Sequence, residues 1–209
     1  MEITWHGHSS VRLSSRDVSL LTDPNPDIER DLEADIVAIS CDYPSHSAHK
    51  SVGGHPRVLE GPGQYEVSGY NITAIGTALN DAEESRRINT VYVIRSEGVS
   101  VCYLGNLNAT LTSRQLESLG SVDVLVAPAS GEGTLNAKAI SRIVSTLSPG
   151  IVIPVHYDAE QGEEGFAPAQ ALLTEMNVEP PETQIRLNVT QNNVPRETRV
   201  ALLRNMSGA

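Results

Sequence analysis

Six histidines and two cysteines are the side chains of this sequence that point most directly to chemistry. Imidazole is the commonest metal ligand in proteins, and a thiolate can serve as a ligand or as a nucleophile. The histidines are His6, His8, His46, His49, His55 and His156, and the cysteines are Cys41 and Cys102. A single histidine is more often structural than functional, so the spacing of these residues decides which of them are candidates.

Three places stand out by their spacing. His6 and His8 are two residues apart, so they would face the same side of a strand. Cys41 and His46 follow an apolar run in the first half of the chain, and His156 directly follows another in the second half. Polar side chains at the ends of buried strands are a common way of building a site in α/β proteins. The pattern favours a site at these strand ends without identifying its chemistry.

The chain reads as strands first, and then as alternating strands and helices. Short runs rich in Val and Ile, separated by turn residues, fill the first half. In the second half, Thr112 and Gln115 frame a capping box, and Gly120 suits the end of that helix. A second helix would end before Pro149, and a third would begin near Pro168. The predicted strands are Glu2–Trp5, Val11–Ser14, Val18–Thr22, Ile36–Ile39, Val58–Leu59, Gln64–Val67, Asn71–Ile75, Thr90–Arg95, Val99–Leu104, Val122–Ala127, Ile151–Val155, Gln184–Val189 and Arg199–Leu203.

This order of elements predicts an α/β fold (α+β layered), in which helices cover the outer faces of the sheets. No repeat or long linker divides the 209 residues, so a single domain over residues 1–209 is expected. The formal net charge of −11 disfavours binding to a phosphate backbone. No apolar run approaches the roughly 20 residues of a membrane span, and the N-terminus lacks the pattern of a secretory signal. The expected location is the cytoplasm, where Cys41 and Cys102 would be free thiols.

Motifs spread along the chain resemble one family. They are ITWHGHSS at 3–10, LTDP at 21–24, EGPGQYE at 60–66, NTVYVI at 89–94, YLGN at 103–106, VLVAP at 124–128 and IPVHY at 153–157. In this order and spacing they resemble a branch of the metallo-β-lactamase superfamily that includes ascorbate-6-phosphate lactonase-like and phosphodiesterase-like hydrolases. The resemblance covers essentially the whole chain and implies the four-layer αβ/βα sandwich, with mixed sheets and outer helices.

The resemblance also implies a metal site, and most of its ligand positions are changed in this chain. The family's hydrolases hold two metal ions through a His-x-His-x-Asp-His loop, a later His, an Asp after a Leu-Gly pair, and a final His. The residues at these seven positions are Cys41, Tyr43, Ser45, His46, Leu79, Asn106 and His156. Two ligands of the family pattern therefore remain, both of them histidines.

The changed positions disfavour a two-metal centre. Asn106 in place of the bridging carboxylate removes the negative charge that holds two cations close together, and Leu79 offers no ligand atom. Catalytic zinc usually keeps three good protein ligands, whereas two imidazoles remain here. We therefore expect no cofactor or, if there is one, a single zinc ion.

Other roles for the remaining side chains stay open. Cys41 could join His46 and His156 around one metal ion, or act as a nucleophile activated by either histidine. A carboxylate at the intervening loop position of Asp42 more often stabilises the loop than binds a metal. His8 matches the family's Gly-His position at the pocket wall, where it could contact a substrate anion or make a structural hydrogen bond. The candidate pocket residues are His8, Cys41, Asp42, Tyr43, Ser45 and Asn106, and the residual metal ligands are His46 and His156.

The leading hypothesis from the sequence is a catalytically inactive binding or scaffold protein descended from a metal-dependent hydrolase. The alternative is a divergent hydrolase of phosphodiesters or lactones with a mononuclear site at Cys41, His46 and His156. A third interpretation, a nucleic-acid processing enzyme, conflicts with the acidic charge. The expected partner is an unidentified small molecule or protein, without nucleic acid or membrane, and the sequence is compatible with an oligomer.

Overall fold

Two mixed β-sheets that share one hydrophobic core make up most of the fold. The computed structural model describes residues 1–26, 32–79, 88–129, 133–157 and 169–206. The strands are β1 (Glu2–Trp5), β2 (Val11–Ser15), β3 (Val18–Thr22), β4 (Ile36–Ile39), β5 (Arg57–Glu60), β6 (Gly63–Val67), β7 (Tyr70–Ala78), β8 (Ile88–Ser96), β9 (Val99–Tyr103), β10 (Val124–Pro128), β11 (Ile151–Val155), β12 (Leu187–Asn188) and β13 (Arg199–Val200). The first sheet has the order β12-β1-β2-β3-β4-β5, and the second has the order β13-β11-β10-β9-β8-β7-β6.

The side chains of β4 show how the first sheet is covered on both faces. Ile36 and Ala38 contribute to the main core, whereas Val37 and Ile39 contribute to a second, smaller apolar cluster. Successive side chains of a strand point to opposite faces of the sheet, so the two clusters lie on opposite sides of it. The second cluster is completed by residues of the neighbouring strand and of the connecting segments: Leu21, Leu32, Ala34 and Val52.

The described part of the second half of the chain contains three α-helices: α1 (Ser113–Leu119), α2 (Ala137–Leu147) and α3 (Gln170–Glu175). Helix α1 contacts β7, α2 contacts β10, and α3 packs on α2. The capping box of α1 is confirmed, because the Gln115 N–H donates to Thr112 Oγ1 at 3.3 Å and the Thr112 N–H donates to Gln115 Oε1 at 2.8 Å. The predicted start of the third helix at Pro168 lies outside the described residues. No described helix is both long enough and apolar enough to cross a membrane.

The predicted fold class is confirmed, since both sheets are mixed and α1 and α2 contact strands of the second one. Parallel pairs join β3, β4 and β5 in the first sheet, and β9, β10, β11 and β13 in the second. The closing strands are shorter than predicted: β12 and β13 each have two residues. Ile185, inside the longer strand that the sequence predicts, is 53% exposed. Gln184, at the start of that predicted strand, forms an isolated parallel bridge with Leu203, so the segment before β12 does not extend the pairing with β1.

Candidate metal site

Three histidines lie where strands of the two sheets end. His8 belongs to the turn after β1, His46 to the loop after β4, and His156 directly follows β11. The backbones of His8 (φ 48°) and His156 (φ 57°) are in the left-handed region, which is uncommon for residues other than glycine. The first sheet therefore supplies two of these side chains and the second sheet supplies the third.

Backbone contacts fix His8 and His156 relative to each other. The His156 N–H donates to the His8 carbonyl at 2.8 Å, and the Trp5 indole N–H donates to the same oxygen at 3.0 Å. The ring of Trp5 stacks on that of Tyr157, with centroids 4.9 Å apart and planes inclined by 17°. This contact joins the end of β1 to the end of β11, so the two histidines are held by rigid strands.

The three imidazoles form what we call the imidazole cluster, consisting of His8, His46 and His156. One ring nitrogen from each lies within 4.8 Å of the others. The ring centroid of His8 is 4.8 Å from that of His46 and 4.4 Å from that of His156, and both pairs meet edge to face. Tetrahedral zinc with bonds of about 2.0–2.1 Å needs ligand atoms about 3.4 Å apart. A modest approach of the rings would bring all three nitrogens to one ion.

Hydroxyl groups orient the ring of His46. Ser45 Oγ lies 2.9 Å from its Nδ1, and Ser9 Oγ lies 3.2 Å from its Nε2. The His46 N–H donates to the carbonyl of Tyr43 at 2.9 Å, which closes the loop on which the ring is carried. A metal at one ring nitrogen would replace one hydroxyl, while the other hydroxyl would still hold the ring.

Burial keeps the imidazole cluster neutral. It lowers the pKa of His8 to about 4. It lowers the pKa of His46 to about 3 and that of His156 to about 2, with further lowering by the neighbouring histidines. Neutral imidazole is the form that binds a metal, so no proton has to leave these side chains at neutral pH. The donor set therefore fits a single divalent ion such as zinc.

Cys41 does not share this environment. Its side chain is buried. Among the described residues, the group of side chains that could hold a metal consists of His8, His46 and His156 and does not include Cys41. Burial, and next the nearby Asp23 carboxyl, raise the pKa of the Cys41 thiol to about 12. A thiol of this kind is protonated at neutral pH, which makes it a poor nucleophile. The structure thus brings the two residual histidines together with His8 rather than with Cys41.

The other candidate residues belong to the loop that carries His46 or follow β9. The ring of Tyr43 is 6.3 Å from that of His46, and Ser45 holds the His46 ring as described. Asp42 is exposed at the loop that carries His46, and Asn106 is buried just beyond the end of β9. His55 is exposed, and His49 is half-buried in a short 3-10 turn over His49–Ser51.

The prediction that His6 and His8 share one face of a strand is wrong. β1 ends at Trp5, so both histidines belong to the following turn, in which an alternation of two does not hold. His6 Nε2 lies 3.0 Å from Thr4 Oγ1, and His6 is not among the residues that converge on the site.

A buried carboxyl group that the sequence interpretation did not single out supports the site. Asp23 accepts hydrogen bonds from the Ser40 N–H at 2.6 Å, the Ser40 hydroxyl at 2.5 Å and the Tyr103 hydroxyl at 2.6 Å. The Tyr103 hydroxyl also lies 2.9 Å from the Ser9 carbonyl. Ser9 in turn contacts His46, so these contacts link the ends of β3, β4 and β9 to the cluster. Asp23 belongs to the motif at 21–24, where this role could have been sought.

Comparisons with known proteins agree with this architecture. The profile of a family described as "Beta-lactamase superfamily domain" matches residues 2–156. The crystal structure of a proposed Zn-dependent hydrolase of the metallo-β-lactamase superfamily from Thermotoga maritima superposes with a TM-score of 0.80, at 30% identity and over 97% of each chain. The chain belongs to the metallo-β-lactamase superfamily.

Curated relatives within the superfamily align with this chain over most of their own length. A UPF0173 protein of Pyrococcus abyssi is 26% identical and aligns over 79% of this chain and 89% of its own length. A UPF0173 metal-dependent hydrolase of Methanopyrus kandleri is 23% identical over 79% of this chain and 90% of its own length. The metal-dependent hydrolase YtkL of Bacillus subtilis is 21% identical, with coverages of 80% and 92%.

These superfamily comparisons correct the leading functional hypothesis. The expectation of a catalytically inactive binding or scaffold protein is wrong, because relatives over most of the chain are described as metal-dependent hydrolases. That expectation counted two remaining imidazoles. His8 adds a third, through a turn that the superfamily's metal-binding loop does not include.

Proposed function

We propose that the protein is a metal-dependent hydrolase of the phosphodiester or lactone class, with one divalent ion held by His8, His46 and His156. The observation that carries the proposal is the convergence on one point of three imidazoles, of which those of His46 and His156 are buried and that of His8 is half-buried. Three protein ligands and an open fourth position are the usual arrangement of a catalytic zinc site. The descriptions of the relatives as metal-dependent hydrolases support the same reaction class.

Each side chain of the site has a defined task in this proposal. The imidazole cluster binds the ion, while Ser9 and Ser45 hold the His46 ring in place. The backbone hydrogen bond from His156 to His8 keeps the distance between the two sheets fixed at the site. When bound, the ion supplies Lewis acidity: it polarises the bond to be hydrolysed and lowers the pKa of the attacking water to about 7.

The partner in this proposal is a small-molecule substrate. The net charge of −11 opposes a long phosphate backbone, so an RNA or DNA substrate is not expected. The imidazoles are neutral and carry no charge of their own, so the charge of the preferred substrate depends on the ion and on the walls around the site.

Metal content and turnover of matched variants test the proposal. Purified protein should hold close to one zinc per chain, and chelation should abolish hydrolysis of a lactone or phosphodiester panel. The His156→Asn variant should lose both, because Asn tolerates the positive φ of this position but lacks the imidazole. His55→Asn is the control, since His55 is exposed, has φ 55° and lies outside the cluster.

Two results would refute the proposal. One is turnover that persists in the metal-free protein, and the other is zinc content and turnover that are equal in His156→Asn and His55→Asn. Thermal unfolding of both variants controls for a general loss of structure.

A further inference from the structure

The segment that follows β13 crosses from the second sheet to the turn that carries His8 in the first. We call residues 203–206 the crossing segment. Asn205 of this segment forms an isolated parallel bridge with Trp5, and the Met206 N–H donates to the Trp5 carbonyl at 2.9 Å. Trp5 is the last residue of β1, so the crossing segment reaches the first sheet where the His8 turn begins.

The Asn205 side chain lies against Gly7, the residue directly before His8. A Cβ placed on Gly7 would be 3.0 Å from both Nδ2 and Oδ1 of Asn205 and 3.3 Å from its Cγ. The two polar atoms are equally close and the Cγ is farther, so the end of the amide group faces Gly7. Gly7 has φ 80°, a conformation that glycine adopts without strain. A larger residue at this position would displace either the amide or the turn.

The turn that carries His8 is closed by its own backbone and supported from outside by Asn205. The His6 N–H donates to the Ser10 carbonyl at 2.8 Å, and the Ser10 N–H donates to the Gly7 carbonyl at 2.9 Å. Gly7 is therefore held by Ser10 within the turn and by Asn205 from the crossing segment. A rigid peptide unit joins Gly7 to His8, so a displacement of Gly7 also moves the metal ligand.

We propose that Asn205 is a positioning residue of the metal site: its contact with Gly7 holds the turn so that the His8 ring faces the other two imidazoles. This inference rests on the proposed metal site and adds a residue that acts on one of its ligands. His8 is half-buried, whereas His46 and His156 are buried, so the His8 ring depends most on the backbone of its turn. Asn205 acts through Gly7 and is not itself a ligand.

The zinc affinities of two matched asparagine variants test the proposal. Asn205→Ala removes the amide from Gly7 and keeps the backbone bridge to Trp5. It should weaken zinc binding about 10-fold, at the low end of the roughly 10–100-fold typical of residues that support a ligand. The control is Asn192→Ala, the same truncation at an exposed position, which should stay within about 2-fold of the wild type. Competition with a chromophoric chelator measures both affinities, and equal affinities would overturn the proposal.

A double-mutant cycle with Gly7 tests whether the contact itself carries the effect. In the wild type, Gly7→Ala should weaken zinc binding about 10-fold, because the added Cβ meets the Asn205 amide at 3.0 Å and displaces the turn. In the Asn205→Ala variant that space is free, so Gly7→Ala should weaken zinc binding by less than about 3-fold. Losses that add in the double variant would overturn the proposal, since independent sites add.

Amide hydrogen exchange in the metal-free protein separates this inference from the proposed function. The His156 N–H donates to the His8 carbonyl, so a loosened turn should speed its exchange about 10-fold in Asn205→Ala. The Ile151 N–H, which donates to the Asp123 carbonyl at the other end of β11, should exchange at the wild-type rate.

Two exchange results would overturn the positioning role. One is an unchanged rate at His156, and the other is an equal acceleration at His156 and Ile151, which would show a general loss of structure. Either result beside tight zinc binding by the wild type would leave the proposed function standing. A wild type that binds no zinc, with exchange accelerated at His156 alone in Asn205→Ala, would refute the hydrolase and leave the hold of Asn205 on the turn standing.

Discussion

Burial has opposite consequences for metal binding in the imidazole cluster and on the Cys41 side of the site. We define the Cys41 side as Asp23, Ser40 and Cys41, where the ends of β3 and β4 meet. Burial keeps the three imidazoles neutral, with the lone pairs that a cation needs. On the Cys41 side, burial raises the pKa of the thiol to about 12 and that of Asp23 to about 7, so the thiol is protonated at neutral pH and Asp23 releases its proton only near neutral pH.

The difference teaches that removing water affects ligand types in opposite ways. Desolvation disfavours the charged form of every group, which keeps a histidine neutral and ready for a metal and, in the metal-free protein, keeps a cysteine protonated. Cys41, His46 and His156 occupy ligand positions of the family, but they are therefore not equivalent as metal ligands. The residue that completes the set is His8, whose turn is bonded directly to His156.

The largest effect should come from removing the imidazole that the family's metal pattern does not include. His8→Asn should weaken zinc binding by at least about 1,000-fold, more than the roughly 10–100-fold typical of residues that only support a ligand. Asn keeps the left-handed backbone of this position, where φ is 48°. Competition with a chromophoric chelator measures the affinity. An affinity within 10-fold of the wild type would remove His8 from the ligand set.

A change beside Ser40, on the Cys41 side, should cost stability. Gly105 has φ 63°, and a Cβ there would lie 2.4 Å from Ser40 Cβ and 2.6 Å from Asn89 Oδ1. Gly105→Ala should lower the free energy of unfolding by about 3 kcal/mol, through overpacking and backbone strain together. Urea denaturation measures this change.

Gly61→Ala separates those two causes. Gly61 has φ 78° but no atoms within 4 Å of the added Cβ, so its substitution isolates the backbone strain. Gly61→Ala should lower the free energy of unfolding by about 1 kcal/mol. Equal losses for Gly61→Ala and Gly105→Ala would show that Ser40 moves aside at no energetic cost.

The protonation of Asp23 should appear as a pH dependence of stability. Burial raises its pKa from 3.8 to about 7, so unfolding releases a proton between these pH values and the free energy of unfolding falls as the pH rises. From pH 5 to pH 7, the Asp23 side chain should lower the free energy of unfolding of the wild type by about 2 kcal/mol. The Asp23→Asn variant should lack this fall, because an amide does not titrate.

The histidines contribute a dependence of the opposite sign, because their lowered pKa values make stability rise with pH below about 6.5. They are common to the wild type and the variant, so the difference between the unfolding free energies of the two proteins isolates the contribution of Asp23. Denaturation of chelator-treated protein at both pH values measures it. A difference that does not change with pH would show that Asp23 is ionised in the fold.

The smallest effect should follow from changing the thiol. Cys41→Ala should leave zinc affinity and turnover within about 2-fold of the wild type, because the buried, protonated thiol lies outside the ligand group. The cost should be confined to stability, at about 1 kcal/mol for a small buried group. A loss of zinc in this variant would restore Cys41 as a ligand.

Much of the fold could be predicted because its signals are local. The runs of Val and Ile and the Thr112–Gln115 capping box act over a few residues. The short closing strands could not be predicted, because their length depends on what β1 and β11 offer as partners.

The candidate site was less predictable because it depends on backbone turns and burial. His46 and His156 could be found from the family pattern, and His8 was placed only at the pocket wall. Its part in the imidazole cluster follows from the positive φ of His8 and from the bond between His156 and the His8 carbonyl, which joins distant parts of the chain. The rejection of Cys41 follows from its burial beside Asp23, which spacing in the sequence does not reveal.

X-ray absorption at the zinc edge tests the central claim most directly. Protein loaded with one equivalent of zinc should show three imidazole nitrogens and a further light atom at about 2.0–2.1 Å. It should show no sulfur shell, because Cys41 lies outside the imidazole cluster. A sulfur scatterer at about 2.3 Å, or a spectrum with fewer than three imidazoles, would contradict the account.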